Sequence, residues 1–190
     1  DPGKIASYED LTPPSAPFSP GYVEEWQRTK RGIKQVTEWA RDYGIDIALQ
    51  NHPPLLRPGY EDALAMVEEI GMDNLKLCLD VPLFHGRQDE EYIKEAVDAC
   101  GDLVALSHYG AWNFERTDDG EVVQIKSELA GKKINYETFL KELKNAGYDG
   151  YLAQEFCLPV IQNHEFGGIE RVDEATKMGV EYMRDLLDSL

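Results

Sequence analysis

Apolar positions along this chain follow two rhythms. Four short runs are apolar almost throughout and stop on a side chain of metal-binding type: Ile47-Ala48-Leu49 on Gln50, Leu77-Cys78-Leu79 on Asp80, Val104-Ala105-Leu106-Ser107 on His108, and Tyr151-Leu152-Ala153-Gln154 on Glu155. Runs of this length between helical segments suit parallel strands buried on both faces. Between them the spacing lengthens to that of amphipathic helices. Tyr22 to Tyr43 carries Trp26, Ile33, Val36, Trp39, Ala40 and Tyr43 at helical spacing and stops at Gly44, which predicts the first helix. A strand over Asp46–Gln50 follows, then a loop, His52 to Gly59, from which its prolines exclude helix.

The same unit then recurs. A helix over Tyr60–Ile70, with Leu64, Val67 and Ile70 on one side, closes at Gly71 and leads to a strand over Leu75–Asp80. A loop through Pro82 and Gly86 precedes a helix over Asp89–Cys100, with Ile93, Val97 and Cys100 inward, and Gly101 marks its end. After the strand Leu103–His108 comes a long connection, Tyr109 to Ile134, in which Asp118-Asp119-Gly120 predicts the turn of a small hairpin. Asn135 caps a helix over Tyr136–Ala146 with Phe139, Leu140 and Leu143 as its core stripe. The last strand, Tyr151–Phe156, leads to a helix over Ile169–Leu187 bearing Val172, Ala175, Met178, Tyr182 and Leu186.

Four strands and five helices in α/β alternation make about half of an eightfold barrel, whose usual length is about 250 residues. Two architectures are open: the C-terminal half of a (β/α) TIM-type barrel, or an independent four-stranded sheet. Four successive strands ending in polar side chains favour the barrel, where such ends meet on one face. A doubly wound sheet places its site at one switch point. We read residues 1–190 as a single domain, with the N-terminal half of the barrel missing. The Pro-rich opening resembles mid-protein sequence, so the natural N-terminus is expected elsewhere.

Charge narrows the partners. With 36 acidic against 19 basic residues, the net charge of −17 would repel a phosphate backbone, which argues against nucleic acid. The same charge favours divalent cations near the surface without creating a site. The 3 cysteines, Cys78, Cys100 and Cys157, form no CxxC pair; they read as structural thiols in a reducing, cytoplasmic setting. No run of about 18 apolar residues predicts a membrane span.

The runs Ala48-Leu49-Gln50-Asn51-His52, Leu77-Cys78-Leu79-Asp80, Leu106-Ser107-His108 and Gly147-Tyr148-Asp149-Gly150-Tyr151-Leu152-Ala153-Gln154-Glu155 resemble strands five to eight of the xylose isomerase-like TIM barrels. That superfamily includes sugar isomerases and epimerases, dehydratases and an endonuclease branch. The resemblance implies a divalent cation, manganese or magnesium first and cobalt or zinc next. Its ligands would be Gln50, Asp80, His108 and Glu155. Gln50 stands where many relatives carry Glu; its carboxamide oxygen can still meet a hard cation, but without charge. It cannot accept a proton, so a symmetrical exchange between two glutamates is not expected, and the base falls on Glu155 or His52. Where relatives often carry His three residues after the Asp ligand, this chain has Leu83, with His85 nearby.

Each assignment has a bland counterpart. Asp80 alone suits a loop, His108 alone a hydrogen-bonded core histidine, Gln50 a second ring of hydrogen bonds, and His52 a brace for its Pro53-Pro54 loop. His85 is a candidate substrate contact, and His164 shares with it a loop position that would overhang the site, against the bland reading of each as a solvated loop histidine. Trp112 and Phe114 are candidates for an apolar wall against a sugar ring and Arg116 for gripping a substrate anion, although packing and a surface ion pair explain them equally. The expected activity is a metal-dependent sugar isomerase or epimerase acting beside a carbonyl. A lyase or dehydratase using the same enolate and a non-catalytic sugar-binding protein are the rivals. A homo-oligomer, or pairing with the missing half, is expected because an isolated half-barrel exposes strand edges.

Overall fold

The computed structural model describes residues 20–53, 56–110, 133–155, 161–162 and 165–190. In chain order these form α1 (Pro20–Arg41), β1 (Ile47–Gln50), α2 (Glu61–Ile70), β2 (Leu75–Cys78), α3 (Glu90–Cys100), β3 (Val104–Tyr109), α4 (Tyr136–Asn145), β4 (Tyr151–Gln154), β5 (Ile161–Gln162), β6 (Glu165–Phe166) and α5 (Ile169–Ser189). Strands β1 to β4 pair in sequence order, all parallel, as alternation with helices requires. Their C-terminal ends therefore lie on one side of the sheet.

The helix boundaries obey the predicted stops. Asp89 caps α3 by accepting from Tyr92 N at 3.0 Å, and Asn135 caps α4 by accepting from Thr138 N at 3.1 Å. Gly71 ends α2 in the left-handed conformation, φ 63°. Leu75, Leu77 and Leu79 are buried along the central strand β2 and its continuation. Phe84, in a short 3₁₀ turn after β2, meets Tyr92 and Phe139 edge-on at ring separations of 5.4 and 6.2 Å and locks α3 to α4.

Three features depart from expectation. The apolar stripe expected of the first helix is largely uncovered: Val36 and Trp39 in α1 and Tyr43 in the turn after it are 46, 60 and 81% exposed. The helix instead buries Thr37 and half-buries Trp26 and Ile33, because it leans on α2 at the outer edge of β1 and meets no further strand among the described residues. Trp26 and Lys30 hold it there by hydrogen bonds to Glu69. Second, β2 is regular only to Cys78. Its pairing shifts from Leu77↔Val104 to Cys78↔Leu106, so Ala105 is an extra residue in β3, a bulge of the kind that re-aims side chains beside functional sites. Third, β5 and β6 form a small antiparallel pair that the sequence did not announce. The hairpin expected around Asp118-Asp119-Gly120 lies outside the described residues.

Candidate functional site

Gln50 ends β1, Asp80 follows β2 by two residues, His108 lies near the end of β3, and Glu155 follows β4. Parallel pairing brings all four to the same rim, and their side chains meet. Gln50 Nε2 lies 2.6 Å from Asp80 Oδ2, 3.1 Å from Glu155 Oε2 and 3.3 Å from His108 Nδ1. His108 Nδ1 is also 3.1 Å from Asp80 Oδ2. A proton count orders this network. The carboxamide has two hydrogens, which satisfy the two carboxylates, and a proton on His108 Nδ1 then serves Asp80.

Asp80 is the hub. It is 1% exposed, a position where a carboxylate is costly unless donors surround it. Beyond Gln50 and the imidazole, it accepts from His108 N–H at 2.6 Å and from the Cys78 thiol at 3.3 Å, both on Oδ1. Asn51 fixes its backbone from below. The fully buried Asn51 side chain accepts from Asp80 N at 2.9 Å and donates to Asp80 O at 3.3 Å and Gly59 O at 3.0 Å. The hydrogen bond to Asp80 raises the His108 pKa above its usual 6.5 against the opposing effect of burial. Burial, then the Asp80 charge, pushes the Cys78 thiol pKa far up. Sequence reasoning gave no role to Asn51 and treated Cys78 as structural. The available signal was position: one residue after, and two before, polar strand ends.

Glu155 is positioned through its backbone. Its N–H donates to Tyr109 O at 2.8 Å, and the adjoining Gly110, at φ 138°, packs so closely that a Cβ would overlap the Glu155 carbonyl oxygen. Only glycine combines that φ with that approach. His52 is half-buried with Nδ1 against the Pro53 carbonyl. His85 adopts φ 51°, and burial, with the nearby Arg87 and His52, lowers its pKa. Trp112, Phe114, Arg116 and His164 lie outside the described residues.

The donor set suits a divalent cation. Atoms sharing an ion at 2.0–2.3 Å stand about 3 Å apart; Gln50, Asp80 and His108 meet that spacing at 2.6, 3.1 and 3.3 Å, and Glu155 reaches them through Gln50. Cys78, Asp80 and His108 form a group whose donor atoms lie within 4.8 Å of one another. A half-turn of the Gln50 carboxamide would turn Oε1 in place of Nε2 toward Asp80, His108 and Glu155.

Two outcomes follow from this geometry. Gly110→Ala should destabilise the protein by about 2–4 kcal/mol in urea denaturation, through φ strain and overpacking, and loosen Glu155. For His108, the folded pKa is raised, so in cation-free protein its contribution to stability is full below 6.5 and lost as pH rises through the raised value. The stability difference between wild type and His108→Gln, measured by denaturation at stepped pH, should therefore shrink as pH increases; a difference independent of pH would refute the pairing with Asp80.

Residues 7–186 match the family model for the xylose isomerase-like TIM barrel. Over 148 residues the chain is 27% identical to the uncharacterized protein MJ1311 of Methanocaldococcus jannaschii, covering 72% of this chain and 48% of that protein. It is 26% identical over 155 residues to an inosose isomerase of Halalkalibacterium halodurans, covering 78% and 52%. The fold also superimposes on a D-psicose 3-epimerase crystal structure obtained in the presence of D-fructose, with a TM-score of 0.62, 18% identity, and coverage of 85% of this chain and 56% of that one. The chain thus spans about half the length of the curated relatives it matches. With its β/α alternation and parallel sheet, the chain belongs to the xylose isomerase-like TIM barrel family.

Proposed function

We propose that the protein is a divalent-metal-dependent sugar isomerase or epimerase that moves a proton beside the carbonyl of a polyhydroxy substrate. The observation that carries this reading is the convergence of Asp80, His108 and Glu155 on the Gln50 carboxamide, all within 3.3 Å of its nitrogen. The inosose isomerase and psicose epimerase relatives support the substrate class. Asp80, His108, Glu155 and the Gln50 oxygen would hold the cation, which when bound supplies the Lewis acidity that makes a C–H next to a carbonyl removable.

The chain's own residues then divide the work unevenly. Glu155 is the carboxylate at the rim able to take and return the proton. Gln50 lies across from it and cannot, so proton transfer on one face of the substrate, as in ketose–aldose isomerisation, is favoured over exchange between two glutamates. His52, in the loop after β1, is the other candidate base. Asn51 and Gly110 hold Asp80 and Glu155 in register while this happens. We further propose that β1–β4 correspond to strands five to eight of the closed barrel, a reading supported by the half-buried strand β1 and the uncovered face of α1.

Incubation with a ketohexose and manganese in deuterium oxide should place deuterium on the carbon beside the carbonyl without loss of a substituent. Glu155→Gln should slow that exchange by about a hundredfold to ten-thousandfold. Loss of a substituent would point to elimination, and no exchange at all would sink the reading. Gln50→Glu adds a charged donor and should tighten manganese binding by about tenfold to a hundredfold in calorimetry. An unchanged affinity would place Gln50 outside the ion's reach.

A further inference from the structure

Two residues back from each polar strand end stands a residue that shares its face by strand alternation: Ala48, Cys78, Leu106 and Ala153. Three are apolar, and two of those are small. Only Cys78 places a heteroatom under the rim. Its Sγ lies 3.2 Å from His108 Nδ1 and 3.3 Å from Asp80 Oδ1, closing the three-donor group described above.

A buried cysteine is ordinarily a small apolar filler, and Cys100 fits that description, packed within the main hydrophobic cluster. Cys78 does not. It is as buried as Leu77 and Leu79 on either side, yet it lies outside the cluster that both join and faces the imidazole and carboxylate instead. The bulge at Ala105 falls where β2 pairs at Cys78. Asp80 and Glu155 bring negative charge and Gln50 brings none, so a Cys78 thiolate would add to the charge facing a cation.

We propose that Cys78 is a further ligand of the cation site, and that its sulfur makes the site prefer zinc, cobalt or cadmium over manganese and magnesium. This rests on the cation reading above. On loading, the thiol proton passes to solvent and a metal–sulfur bond takes its place. Thiolate is the soft donor in an otherwise oxygen and nitrogen set, and soft donors favour those ions.

Cobalt titration of the protein separates the two readings. The expected spectrum combines visible d–d bands with a near-ultraviolet sulfur-to-cobalt charge-transfer band. Cys78→Ser should remove the charge-transfer band and keep the d–d bands, whereas Cys100→Ser should keep both. The same Cys78→Ser change should weaken zinc by at least about tenfold while altering manganese far less. X-ray absorption of the zinc-loaded wild type should show a sulfur neighbour at about 2.3 Å, a readout that needs no variant to fold. Cobalt bound with d–d bands but no charge-transfer band, or zinc with only nitrogen and oxygen neighbours, overturns the role of Cys78 and leaves the cation site standing. Failure to bind either ion overturns both.

Discussion

A carboxylate 1% exposed to solvent organises this molecule. Removing an ionised group from water costs several kcal/mol unless charges or donors replace the lost hydration, and around Asp80 the replacements come from each neighbouring strand. Asn51 and Gln50 reach it from the end of β1, Cys78 from its own strand, and the amide and ring of His108 from β3. Glu155, from β4, joins through Gln50. The alignment of four parallel strands and the solvation of one carboxylate are thus the same arrangement. A slip of one residue in any strand would turn its donor to the opposite face.

The network is asymmetric in its charges. Two carboxylates face one carboxamide, and the carboxamide nitrogen occupies the middle of the cluster. In the cation-free state its two hydrogens reduce the repulsion between Asp80 and Glu155, the task a cation would otherwise perform. This makes Gln50 a competitor for the centre as well as a candidate donor to it. The asymmetry also distinguishes the two edges of the sheet: the rim residue after β4 is a carboxylate, Glu155, and the one that ends β1 is a carboxamide, Gln50.

Much of this was legible in the order of residues. Continuous apolar runs ending in polar side chains specified the strands and the rim, since a strand buried on both faces tolerates few other patterns. The cap at Asn135 and the stop at Gly71 are local chemistry and appeared where expected, while Asp89, expected as the first residue of its helix, caps α3 instead. The exposed stripe of α1 was not legible, because periodicity tells which residues share a face but not what covers it. The Ala105 bulge was hidden too, since it depends on pairing between strands remote in sequence. Cys78 was masked by its apolar surroundings, and Asn51 by the conspicuous Gln50 and His52 on either side.

Asn51 gives the rim a mechanical property. One side chain grips both the loop at Gly59 and the backbone of Asp80, so neither can shift without straining the other. Whatever settles against that loop biases the orientation of the buried carboxylate. By thermodynamic reciprocity, whatever occupies the carboxylate biases the loop by an equal free energy. The position of the Gly59 backbone and that of the Asp80 backbone are tied together by this one side chain.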